Sequence, residues 1–123
     1  MTAVDSSANR LDRLRDNLTR TNLLAELVPA DALSWKPKAQ FDAILLDAPC
    51  SATGTFRRHP EVLYRARPRS IAEGAELQGK LLDRAVDWLR PGGILVYSVC
   101  SLEPEEGEEV IAAFLQRHAN FRV

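Results

Sequence analysis

The stretch Phe41 to Gly54, FDAILLDAPCSATG, decides the fold. Phe41, Ala43, Ile44, Leu45 and Leu46 form a nearly continuous apolar run, the pattern of a central parallel strand buried on both faces. The run breaks at Asp47, and Ala48-Pro49-Cys50-Ser51 cannot extend a ladder, because proline lacks the amide donor. A carboxylate and a thiol therefore follow the C-terminal end of a strand, the edge at which open α/β sheets bind ligands. The expected class is α/β, with Asp47 and Cys50 as site candidates by position and by chemistry.

A second stretch repeats the design. Gly92-Gly93 leads into Ile94-Leu95-Val96-Tyr97-Ser98-Val99, then Cys100-Ser101 and an acidic helix start. Each cysteine ends a strand and precedes a serine. The blocks DAPCSATGTFRRHPE and YSVCSLEPEEGEEV together resemble the RNA 5-methylcytosine methyltransferases that use S-adenosylmethionine, with the bacterial Sun/RsmB-type ribosomal RNA enzymes the most similar.

That resemblance implies a partial Rossmann-like methyltransferase fold. The whole chain, residues 1–123, corresponds to the middle of the family's catalytic domain. The family's first strand with its Gly-rich loop is expected before Met1, and its last strands beyond Val123. The implied reaction is methylation of C5 of a cytidine in small-subunit ribosomal RNA through a covalent cysteine–C6 adduct. Cys100 would be the nucleophile, Asp47 would face the ring and the cofactor, and Cys50 would help to eliminate the product. The chain alone is expected to be inactive and to bind S-adenosylmethionine weakly.

The residues themselves justify this chemistry. C5 of cytosine is a poor nucleophile, so a thiolate must add at C6 and push electron density onto C5. A further group must hydrogen-bond the ring as charge develops, and a base must then remove the C5 proton. One carboxylate and two thiols at neighbouring strand ends meet these needs, but residue chemistry alone does not say which thiol attacks. DNA 5-methylcytosine enzymes place their nucleophile in a Pro-Cys dipeptide, which would exchange the roles; the second Cys-Ser block argues against that. A methyltransferase acting on transfer RNA, a non-catalytic Rossmann-like fragment and an RNA-binding module are the remaining readings.

Composition narrows the partners. Sixteen Lys and Arg balance 17 Asp and Glu, so a net charge of −1 gives no global attraction to nucleic acid. RNA contact would need a local patch, and Arg57, Arg58, His59 and Arg65, interleaved with Phe56 and Tyr64, supply one. No apolar run approaches the roughly 20 residues of a membrane span, and no leader pattern opens the chain. A cytoplasmic protein with free thiols is expected; the two cysteines lack metal-type spacing.

Elsewhere, Met1–Val4 reads as a strand, Asp5-Ser6-Ser7 as a cap, and Leu11, Leu14 and Leu18 as the apolar stripe of a helix ending near Asn22. Asp5, at a strand end, is a candidate to hold a ribose diol, and the same position suits a plain N-cap. Leu23–Pro29 reads as a short strand and Ala30-Asp31-Ala32 as a turn. The family places an acid beside the adenine here, which assigns Asp31; a turn aspartate is the alternative. Ser70 is expected to cap a long helix ended by Pro91-Gly92-Gly93, and Pro104 to open the last helix. The macrodipole accounts for Glu105, Glu106, Glu108 and Glu109 without a catalytic role. His118 reads as a cap. With no first strand between the strands ending at Asp5 and Asp47, open sheet edges are expected to favour a homodimer.

Overall fold

A computed structural model describes residues 1–123. The chain divides into two compact units, Met1–Lys38 and Ala39–Val123.

In the first unit, β1 (Thr2–Asp5) pairs in parallel with β2 (Glu26–Pro29) through α1 (Ala8–Thr21). Ser7 caps α1, its hydroxyl accepting the Arg10 amide, and Asn22 closes the helix in the left-handed conformation, with its own amide reaching back to Leu18 and Thr19. Leu11 is the buried residue of the stripe. The strand after α1 starts later than expected. Leu23 and Leu24 precede it and are exposed, because the chain has first to complete the helix C-cap.

The second unit is built on β3 (Phe41–Asp47) and β4 (Leu89–Ser98), a parallel pair with Asp47 opposite Ser98. Between them run a 3-10 turn (Thr53–Thr55), the single-turn α2 (Val62–Arg65) and α3 (Pro68–Trp88); a second 3-10 turn (Pro104–Glu106) and α4 (Glu108–Arg117) follow. Leu82, Val110 and Phe114 form the core, with Leu46, Leu95 and Tyr97 from one face of the sheet packed against them. The other face carries Leu45, Ile94 and Val96, which are 70%, 64% and 49% exposed. Register explains the split: Leu45 lies opposite Val96 and Ala43 opposite Ile94, so they share a side. β3 is thus buried on one face only, contrary to the expectation from its apolar run, because the sheet has two strands and a single helical layer covers it.

Three boundaries also differ from the sequence reading. α3 starts at Pro68, ahead of Ser70, whose hydroxyl turns back to accept the Arg67 amide and donate to the Arg67 carbonyl. Proline suits that first position because its missing N–H would be unpaired there anyway. At the other end α3 stops at Trp88, and Pro91-Gly92-Gly93 is an irregular excursion within β4, where the register jumps from Phe41–Leu89 to Ala43–Ile94. Gly92 adopts φ +78°, and a Cβ on Gly93 would come 2.9 Å from the Asp42 carbonyl oxygen, so the excursion requires both glycines. Pro104 opens a 3-10 turn, and α4 proper begins after Gly107. No helix is long and apolar enough to cross a membrane.

Candidate active site

β3 and β4 end side by side, and the loops that leave them carry the two thiols. Ala48 still donates its amide to Ser98, which holds the two exits together before the chains diverge. Gly54 then donates to the Cys100 carbonyl across the gap, and a Cβ there would lie 2.9 Å from that oxygen. The result is a Cys50 Sγ to Cys100 Sγ distance of 3.5 Å, with both thiols free. Asp47 is exposed at the end of β3. The structure therefore brings Asp47, Cys50 and Cys100 to one edge of one sheet.

The two thiols differ. Cys100 is exposed and Cys50 is partly buried. Burial pushes the Cys50 thiol above its ordinary value; the Ala52 amide opposes this, and the neighbouring Cys100 thiol adds to it. Cys50 is thereby biased toward its protonated form, and the accessible sulfur is Cys100.

A buried polar network sets these loops. Glu106 is fully buried, and its carboxylate meets only donors. The Ser51 amide reaches Oε1 and Oε2 at 2.9 and 3.1 Å, the Ser51 hydroxyl donates to Oε2 at 2.5 Å, and Gln78 Nε2 donates to Oε1 at 3.2 Å. Since the Ser51 proton goes to Glu106, the 3.1 Å contact between the Ser51 and Ser101 hydroxyls is donated by Ser101. Ser101 in turn accepts the Glu103 amide, and Thr53 accepts the Leu102 amide at 3.0 Å. The hydroxyl chain thus has one direction, ending on the carboxylate. Tyr97 donates to the Glu106 carbonyl at 2.7 Å, and burial raises the Tyr97 phenol far above its ordinary value, so that donor persists. Gly74 leaves room for the carboxylate: a Cβ there would fall 2.7 Å from Oε1.

The macrodipole reading of the acidic run is corrected at this residue. Glu105, Glu108 and Glu109 are exposed, while Glu106 turns inward to the Cys50 loop. Glu106, Gln78 and Ser51 are the site residues that the sequence reading missed. A glycine inside a long helix, Gly74, was the available signal, and it does not name its partner.

The remaining candidates are placed as follows. Arg57, Arg58, His59 and Arg65 are all exposed on the segment between the first 3-10 turn and the end of α2, with His59 paired to Glu61 at 3.2 Å. Arg65 and Cys50 line one open cavity of about 380 Å³. In the first unit, Asp5 and Asp31 follow the C-terminal ends of β1 and β2. The Arg10 guanidinium holds the Asp5 carboxyl below the usual carboxylate range, opposed by slight burial and aided by the Ser7 amide at 2.7 Å. Asp31 is exposed and uses one oxygen to accept the Leu33 amide, the local bond of a turn aspartate, which leaves the other oxygen for a ligand. His118 closes α4, bonds Asp83 at 2.8 Å and stacks near Phe114, a structural role.

A family model described as 16S rRNA methyltransferase RsmB/F matches residues 1–123. Among curated relatives, the ribosomal RNA small subunit methyltransferase B of Shewanella oneidensis is 48% identical over 124 residues, covering 98% of this chain and 29% of that protein. The protein of the same name from Erwinia tasmaniensis is 50% identical over 121 residues, covering 96% and 28%. The chain thus spans less than a third of these relatives. Of solved structures, NSun6 from Pyrococcus horikoshii with SFG superposes with a TM-score of 0.85 at 34% identity, over 94% of this chain and 30% of that one. A methyltransferase homolog from the same organism gives 0.79 at 41% identity, over 94% and 36%. The α/β arrangement is accordingly part of a Rossmann-like methyltransferase fold.

Proposed function

The chain belongs to the RsmB/F family of 16S rRNA methyltransferases, and from that premise we propose that residues 1–123 form the part of a catalytic domain that methylates C5 of a cytidine in small-subunit ribosomal RNA. The observation that carries the reading is the pair of unequal thiols 3.5 Å apart beside Asp47.

Cys100, the accessible sulfur, adds as thiolate to C6 of the cytosine, which makes C5 electron-rich. Asp47 accepts from the ring's exocyclic amine and fixes the base against the thiol. After transfer, C5 carries both a methyl group and a proton. Cys50, half-buried at hydrogen-bond range of Cys100, passes its thiol proton to the departing Cys100 sulfur and, as the thiolate so formed, takes the C5 proton, while the C6–sulfur bond breaks and the C5–C6 double bond re-forms. The elevated Cys50 thiol suits proton transfer better than attack. This supports Cys100 as nucleophile over the Pro-Cys alternative.

The cofactor residues fit S-adenosylmethionine chemically. Asp31 has a free carboxylate oxygen, Asp47 is exposed, and Asp5 retains acceptor capacity on Oδ2 beside Arg10. As the resemblance implies, Asp5 would hold a ribose diol and Asp31 would lie by an adenine, and Asp47 would face the cytosine ring and the cofactor. When bound, the cofactor supplies an electrophilic methyl group. The neighbour solved with SFG, a S-adenosylmethionine analogue, supports this class of ligand. Arg57, Arg58, His59 and Arg65 would grip the RNA backbone, and Tyr64, 79% exposed, offers a stacking face.

Incubating a full-length family enzyme that carries these residues with unmodified 16S rRNA and S-adenosylmethionine, followed by bisulfite sequencing, tests the reading. A single protected cytidine is expected; methyl incorporation without a protected cytidine would overturn the C5 assignment.

A further inference from the structure

Cys50 is bracketed. The residue before it, Pro49, gives its carbonyl to Gln78 Nε2 at 2.9 Å; the residue after it, Ser51, gives both its amide and its hydroxyl to Glu106. Gln78 and Glu106 are each 0% exposed and bond one another at 3.2 Å. Both partners of the Gln78 amide are acceptors, so its NH2 group must face them, and its Oε1 is left buried with no partner. An unpaired buried carbonyl is a cost that folding alone gives no reason to keep. It is retained here where the amide ties both ends of the thiol's loop to one carboxylate.

We propose that Glu106, acting through Ser51 and Gln78, is a positioning residue that fixes the Cys50 sulfur against Cys100; its bearing on catalysis rests on the function proposed above. The electrostatics select a carboxylate. Every group facing Glu106 Oε1 and Oε2 is a donor, so an amide in its place sets NH2 against NH. The alternative is for the Ser51 hydroxyl to turn and donate to Ser101. That displaces the Ser101 proton toward Thr53, whose oxygen already accepts the Leu102 amide. Either way the two Cys-Ser loops lose their common register. Gly74 belongs to the same device, since a methyl at that position displaces the carboxylate without changing its charge.

The rate of internal disulfide formation reports the sulfur-to-sulfur placement directly and needs no RNA. With oxidised glutathione, one thiolate attacks and expels one glutathione thiolate, and the second thiol then displaces the other; both cysteines are oxidised as glutathione disulfide is reduced to two thiols. In the 123-residue chain, Glu106→Gln and Gly74→Ala are expected to slow this step at least ~10-fold, since intramolecular rates fall steeply with misplacement. The alkylation rate of Cys100 by iodoacetamide should stay as in the wild type, and Glu105→Gln, on the exposed side of the turn, should cross-link normally. Circular dichroism identifies which variants are folded, and Gly74→Ala, which keeps every polar group, stands in if Glu106→Gln does not fold. A wild-type cross-linking rate in either folded variant overturns the proposal. In a full-length family enzyme, Glu106→Gln should also accumulate RNA adduct, as is expected of Cys50→Ala. Slowed cross-linking without accumulated adduct would leave the clamp standing and overturn the release role given to Cys50.

Discussion

Cys50 Sγ and Cys100 Sγ stand 3.5 Å apart although 50 residues separate them in the chain. Parallel pairing of β3 with β4 produces this contact, since Asp47 and Ser98 are register partners and each thiol follows its strand end by a few residues. The contact is between unequal groups. One sulfur is accessible and the other is partly withdrawn from water.

That inequality has a pH signature. Burial raises the Cys50 pKa in the folded chain, so its neutral form is favoured by folding. The associated stabilisation is fully present below the unfolded thiol value of 9.0 and is lost as pH rises through the higher folded value. Pulsed iodoacetamide labelling read by mass spectrometry should therefore show Cys50 alkylation inflecting above the denatured-chain midpoint. An inflection below that midpoint would contradict the burial argument.

Leu82 is 1% exposed at the centre of the second unit. Leu82→Ala should cost about 2–5 kcal/mol, combining lost transfer energy with a cavity that α3 and α4 cannot close. Urea unfolding of the chain provides the check, and a loss under ~1 kcal/mol would place Leu82 outside the core.

The sheet face formed by Leu45, Ile94 and Val96 is apolar and exposed. The isolated chain is expected to self-associate through it, since a second copy removes that surface from water with little rearrangement. Sedimentation equilibrium should show a mass above 13.7 kDa that rises with concentration. A monomer at every concentration would contradict this.

None of the six glycines lies in the turn that leaves β1 or β2, the first being Gly54, so the chain holds no Gly-rich turn beside Asp5 or Asp31. Two carboxylates do not replace the backbone donors of such a turn. Titration calorimetry of the isolated chain with S-adenosylmethionine should give a dissociation constant weaker than ~1 μM; a tighter one would contradict this expectation.

Much of the site was legible because it is written locally. An apolar run stopped by Asp47-Ala48-Pro49 announces a strand end, and a second run stopped by Cys100-Ser101 announces its neighbour. The inward turn of Glu106 was not legible. An acidic cluster after proline satisfies a helix dipole, and nothing within the cluster distinguishes Glu106 from Glu105. Its burial depends on Ser51, 55 residues earlier, and on the missing side chain of Gly74, which are tertiary facts. The burial of β3 was misread for a related reason. An apolar run reports what a strand can tolerate on each face, whereas the layers that cover it come from the rest of the fold.

The claim that Cys100 attacks and Cys50 releases is tested most directly by covalent trapping. A full-length family enzyme carrying these residues is incubated with S-adenosylmethionine and 5-fluorocytidine-substituted ribosomal RNA, where the fluorine blocks loss from C5 and freezes the C6 adduct. A denaturation-resistant protein–RNA complex is predicted for the wild type and for Cys50→Ala, and none for Cys100→Ala. A complex that persists in Cys100→Ala and disappears in Cys50→Ala would contradict the account.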